Sequence, residues 1–345
     1  MGIGNRAAML RIGMATVASG ALALAAAAAL TGTAGAATTG AAAKVAPQVT
    51  DTAPAADGYQ FVTLGSHHDR TFNQLLGINN EGVIAGYLGS GAKGHPNKGY
   101  VILPPYGQRQ ILSENFPHAV QTQVTGLNDN GVTVGFFSKQ NTASMSNNNF
   151  GWYAIGGHFH EVNFFTGTPS NPPVDQLLGV NDHNVAVGFF TNMSNMNRGY
   201  TYNINTKTFN RVLVPGAPGL GPSLTATAIN NRGDVAGFYS PSSGVTDSFL
   251  KLANGHFTKF AISGAQMTQA FGVNDSDWVV GTATFSGGVT HGFLWHPGTG
   301  FILNVDDPNG VGATVLNGIN DENDLVGFYT DGAGNVDGLL AYPGF

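Results

Sequence analysis

The stretch GVNDSDWVVGT at 272–282 reads as the end of one strand, a four-residue turn and the start of a second strand. The chain writes it six times. Without gaps it aligns with GINNEGVIAGY (77–87), GLNDNGVTVGF (126–136), GVNDHNVAVGF (179–189), AINNRGDVAGF (228–238) and GINDENDLVGF (318–328). Asn stands at 79, 128, 181, 230, 274 and 320, and Gly follows seven residues later at 86, 135, 188, 237, 281 and 327. The fourth turn position is Gly82, Gly131, Asn184, Gly233, Asp277 and Asn323, the residue types that tolerate a left-handed backbone. That pattern predicts a type I turn closed by a G1 bulge, with the Asn side chain capping it. A calcium loop would need alternating carboxylates or a glycine-rich nonapeptide, and neither is present.

Working outward, each unit predicts four short strands. The first ends at the Asn and the second is the VxVGF segment. The third opens on Gly99, Gly151, Gly199, Ser248, Gly292 or Gly338, and the fourth alternates, as in HFHEVNFF (158–165). Units of 40–50 residues with four strands are the pattern of a β-propeller. The expected fold is therefore all-β: a six-bladed β-propeller with four-stranded blades. The last unit lacks a fourth strand, and the orphan segment YQFVTL (59–64) is expected to supply it and close the ring.

The G-(I/L/V)-N-(D/N)-x-G-x-(V/I)-x-G core followed by His291-Gly292-Phe293-Leu294 resembles the HAF-type extracellular repeat family. The resemblance covers about 77–345. Only the fifth unit has His before Gly-Phe; Lys98, Phe150, Arg198, Asp247 and Asp337 stand there in the others. The resemblance implies export and tandem repeats, and it carries no established activity.

Composition narrows the classes further. The chain has 345 residues, of which 50 are Gly, only 34 are charged and none is Cys. So much glycine disfavours a helical bundle, and the absence of Cys removes disulfides, thiolate catalysis and Cys-ligated metals. The formal charge of −6 with no basic run disfavours nucleic acid. Arg6 and Arg11 precede an uncharged, Ala-rich run that ends at Ala34-Gly35-Ala36, an export signal pattern. The expected organisation is a signal peptide (1–36), a flexible linker (37–57) and the six-repeat propeller (58–345). The protein is then secreted, with no stable membrane insertion after cleavage; an uncleaved anchor is the alternative.

In a propeller the first strands line the axis. The loops between blades share one face with the loops between strands two and three. Five residues before each Asn stand Gln74, Gln123, Gln176, Thr225, Gln269 and Val315. A ring of neutral amides suits hydroxyl-rich ligands, because amides donate and accept together; the plainer reading is that they solvate a water-filled channel. The interblade loops add His67, His68, Asp69 and Arg70, with His118, Asp175 and Asp306 in equivalent loops. Two His and a carboxylate could ligate a divalent metal or perform acid/base chemistry, but no H-E-x-x-H or G-x-S-x-G motif occurs. The plain reading is solvated loops, no cofactor and no metal. Two functions remain open. One is a secreted binding or scaffold protein that recognises a glycan, a cell-envelope polymer or a protein. The other is an extracellular hydrolase or lyase using the His/Asp residues, with His67, His68, Asp69 and Asp306 as its catalytic candidates. Convergence of those residues would favour the second.

Overall fold

The computed structural model describes residues 58–344 except 66–68, 93, 142–147, 166, 220 and 243–244. The expected leader, the linker, and His67 and His68 lie outside the described residues. What is described is all-β, with one three-residue 3-10 turn at Gln108–Gln110.

Four sheets hold four strands each, and a fifth sheet runs through eight. The larger sheet is two of the same four-stranded units. They are joined by a single parallel pair, Thr246 with Met267. Similar parallel bridges tie other neighbouring units, at Phe72–Val336, Asn149–Val174 and Thr290–Ala313. The six repeats of the sequence thus correspond to six antiparallel units. The unit opening at Thr314–Ile319 has only three strands of its own, and Tyr59–Leu64 supplies the fourth. Its six residues pair in register from Tyr59 opposite Pro343 to Leu64 opposite Gly338.

The turn chemistry follows the residue types. Gly82, Gly131, Asn184, Gly233, Asp277 and Asn323 all take positive φ, between 58° and 85°. Just before each turn the innermost strand slips register by one residue, as between Leu75 and Gly77. This bulge explains two glycine slots. At Asn plus seven, a Cβ on Gly86, Gly135, Gly188, Gly237, Gly281 or Gly327 would lie 1.9–2.4 Å from the carbonyl oxygen of the strand beside it. At Asn minus two, a Cβ on Gly77 would lie 3.1 Å from the Gly126 Cα, and one on Gly126 would lie 3.0 Å from the Gly179 Cα. A Cβ on Gly179 would likewise lie 3.3 Å from the Ala228 Cα, one on Gly272 3.1 Å from the Gly318 Cα, and one on Gly318 3.1 Å from the Gly77 Cα. Backbones of neighbouring units therefore pack directly against one another at this position, leaving no room for a side chain.

The apolar core lies between neighbouring units. Leu75, Val124, Leu177, Ala226, Ala270 and Leu316 occupy one repeat position, and all are 0% exposed. Leu177 shows the arrangement, packing with Val134, Tyr153 and Val162 of the unit before it and Tyr200 of its own. Each such large side chain contributes about 1.5–3 kcal/mol by leaving water. Trp152 and Trp295 join these clusters rather than the surface.

Candidate functional site

The axis has two ends. At the end formed by the Asn-led turns, each Asn side chain does two things. Its Oδ1 accepts the N–H four residues on, as Asn128 does from Val132 at 2.9 Å. Its Nδ2 donates to the carbonyl of the next unit's Asn: 79 to 128, 128 to 181, 181 to 230, 230 to 274, 274 to 320, and 320 back to 79, at 2.9–3.4 Å. A second ring runs outside it. The backbone N–H of Asn80, Asp129, Asp182, Asn231, Asp275 and Asp321 each donates to the next unit's side-chain oxygen at 2.7–2.9 Å. The shallow cup they enclose, about 70 Å³, is spanned by these bonds.

The other end carries the sequence-derived candidates. Gln74 and Gln176 are 0% exposed, Gln269 is buried and Gln123 is half-buried. The expected mouth of solvated amides is instead an inner row below the surface. Beside each stands a second-strand residue that the sequence reading missed. Gln74 pairs across the strands with Tyr87, Gln123 with Phe136, Gln176 with Phe189, Thr225 with Phe238, Gln269 with Thr282, and Val315 with Phe328. The signal was present, because this position directly follows the repeated Gly. Leu76, Tyr87, Phe271, Val315, Phe328 and Phe238 form one apolar cluster. They come from the fourth, fifth, sixth and first units, which follow one another round the ring, so apolar side chains of four neighbouring units pack together beside the amides.

Asp175 was expected in a loop. It instead opens the strand Asp175–Val180, wholly buried, accepting the Tyr200 hydroxyl at 2.5 Å and the Phe164 N–H at 2.7 Å. Burial pushes its carboxyl up to about 7, against the pull of those two donors. The same position in the first unit is Asn73, which accepts the Tyr100 hydroxyl and donates to the Leu64 carbonyl.

The remaining candidates are dispersed. Asp69 accepts the Thr71 hydroxyl and the Thr71 and Phe72 N–H groups at 2.7–3.2 Å, capping its own turn. Arg70 and His118 are exposed, His118 at a φ of 62°. Asp306 is held by His291: its Oδ2 lies 2.6 Å from Nδ1, and its Oδ1 accepts the Gly292 N–H at 2.9 Å. His291 and Asp306 keep 35% and 28% side-chain exposure, so an oriented imidazole reaches solvent. Sequence reasoning singled out both residues separately and did not pair them. Among the described residues no group of three His, Asp or Glu is placed to hold a metal ion, and no helix is long and apolar enough to cross a membrane.

No family model matches the chain, and no curated protein matches it. Solved structures with a similar fold include a candidate TolB from Agrobacterium tumefaciens, with a TM-score of 0.50 and 11% identity over 80% of this chain and 92% of that one. The fucose-recognising lectin of Aleuria aurantia, described as a six-bladed β-propeller, gives 0.43 and 11% over 71% and 78%. A PL25 ulvan lyase, a polysaccharide lyase, gives 0.42 and 13% over 80% and 79%. The likeness is one of fold alone: all-β, in four-stranded antiparallel sheets, with β-propeller proteins among the neighbours.

Proposed function

We propose that the chain is an exported, six-bladed β-propeller of the HAF repeat type, closed by the Tyr59–Leu64 strand. Its loop face binds a glycan, a cell-envelope polymer or a protein outside the cell, with carbohydrate the favoured class. The observation that carries this reading is the inner row on the loop side. There a carboxamide stands beside an aromatic ring in three consecutive units, as Gln74–Tyr87, Gln123–Phe136 and Gln176–Phe189. Amides donate and accept as sugar hydroxyls do, while rings offer an apolar surface to the C–H face of a pyranose. A glycan array probed with residues 37–345 tests it. Dose-dependent binding that free sugar competes away is expected, and an array without any such glycan would sink the carbohydrate reading. Export with cleavage near Ala37 is checked by N-terminal sequencing of protein recovered from the medium.

One observation favours a second reading, an extracellular hydrolase or lyase. His291 is oriented by Asp306, which is the arrangement a general base needs. Incubation with a panel of polysaccharides, wild type against His291→Ala, separates the two. Turnover lost in the variant supports an enzyme, and equal product in both removes this pair from the chemistry.

A further inference from the structure

Gln176 is 0% exposed, and neither its Oε1 nor its Nε2 has a hydrogen-bond partner. A buried donor and acceptor both left unmet are destabilising, and a fold seldom keeps them without use. The repeat shows that packing does not require it. In the first unit the Tyr87 hydroxyl donates to Gln74 Oε1 at 2.6 Å, but the residue beside Gln176 is Phe189, which has no hydroxyl. In the fourth unit the position is Thr225, met by Asn197 Nδ2 at 2.9 Å, and in the sixth it is Val315. Gln123, one unit before Gln176, donates through Nε2 to Asn97 Oδ1 at 3.0 Å and leaves its buried Oε1 unmet. Unmet amide groups are thus concentrated in the second and third units. In the next unit round from Gln176, Phe238 packs edge to face with Phe271 of the fifth, 6.0 Å apart. The row itself is Gln, Gln, Gln, Thr, Gln and Val, with no charge.

A ligand here meets the unmet amide atoms of the second and third units, the Phe238 ring of the fourth, and no charged group in the row. We propose that the axial end of the loop face is a subsite for one neutral pyranose. Its hydroxyl edge is taken by Gln176 and Gln123, and its apolar face by Phe238. This rests on the carbohydrate reading above and names the sugar class and the residues. Gln123 in the row and Phe238, paired with Thr225 of the row, are half-buried and mark where the sugar enters. Gln176 is reached once side chains shift.

The test is saturation-transfer NMR and titration on residues 37–345. The probes are the methyl glycosides of glucose, galactose and mannose, with methyl glucuronide as the charged control. Wild type is expected to bind at least one neutral glycoside and to prefer it to the glucuronide. Gln176→Leu should weaken that binding tenfold or more while melting no lower than wild type, since it removes an unmet buried pair. Gln123→Leu, at a half-buried position, supplies the same readout should the first variant fold poorly. Unchanged affinity in a folded variant overturns the subsite, as does preference for the glucuronide or silence from all neutral glycosides. In those cases array binding by wild type leaves the broader reading standing. A wild type blank on the array overturns that reading, and the subsite with it.

Discussion

At the turn end of the axis, six units make the same bonds with the same residue. At the loop end, the position six residues before the repeated Asn is Asn73, Thr122, Asp175, Leu224, Thr268 and Thr314. Five of these still serve the incoming connection or the lead-in to the strand. Thr122, Thr268 and Thr314 accept a backbone N–H at 3.0–3.2 Å, Asp175 does so at 2.7 Å, and Asn73 donates to a carbonyl instead. The difference teaches where identity is demanded. A ring of hydrogen bonds passes through every unit, so a foreign residue in one turn breaks bonds to its own unit and to its neighbour. A loop-end residue answers only to its local connection, and its chemistry is free to vary.

That contrast can be broken or sharpened by experiment. The largest effect is expected from deleting Tyr59–Leu64, which strips the sixth unit of a strand paired along its whole length. Calorimetry should then show no cooperative unfolding transition, and an unchanged melt would remove closure from the account. Gly126→Val comes next, because its Cβ meets the Gly179 Cα and the Leu178 carbonyl at 3.0 Å. A cost of roughly 3 kcal/mol is expected in urea denaturation. Asn128→Ala loses its bonds to Asn181, Asn130 and Val132. About 2 kcal/mol should go with them.

The fourth prediction concerns pH. The Asp175 carboxyl sits at about 7 when folded and near its ordinary 3.8 when unfolded. Between these values the folded chain holds the extra proton, so the stability Asp175 contributes is full below pH 4 and is lost as pH rises toward 7. Asp175→Asn, the residue of the first unit, should flatten that slope in melts taken from pH 4 to 8. The smallest effect is expected from Lys98→Ala at the loop end, where an exposed Nζ reaches the Val120 carbonyl at 2.9 Å. Less than about 0.5 kcal/mol should be lost. If Lys98→Ala costs as much as Asn128→Ala, the two ends are not different in kind.

The repeat was legible because backbone geometry forced it. A left-handed turn residue, a glycine under a carbonyl and a glycine against a neighbouring Cα admit few substitutes, so each leaves the same letter six times. Partnerships between units were harder to read. Asn128 was legible as a cap through Oδ1, but its remaining Nδ2 bond depends on how closely the next unit stands. The bulge residue shows the same limit. Thr125, Thr227 and Asn317 donate to the Leu177, Ala270 and Leu75 carbonyls of the following unit at 2.8–2.9 Å. The units between them carry Leu76, Leu178 and Phe271. This threefold alternation inside a sixfold ring has no signature in any single repeat. At the candidate site the amide positions were legible and their depth was not, since burial there depends on aromatic residues from the second strand. His291 and Asp306 lie 15 residues apart on different segments, and only the register of the third and fourth strands brings them together.

The joint between Tyr59–Leu64 and Val336–Pro343 carries one more consequence. Inside the other units, successive strands are joined by a turn as well as by hydrogen bonds. Here the two partners are held by hydrogen bonds and packing alone. The circle therefore has a preferred place to open, and its opening breaks no peptide bond. A pull on Tyr59–Leu64 would load these hydrogen bonds with no turn behind them. The sixth unit thus keeps its outer edge only while a strand from far along the chain stays docked on it.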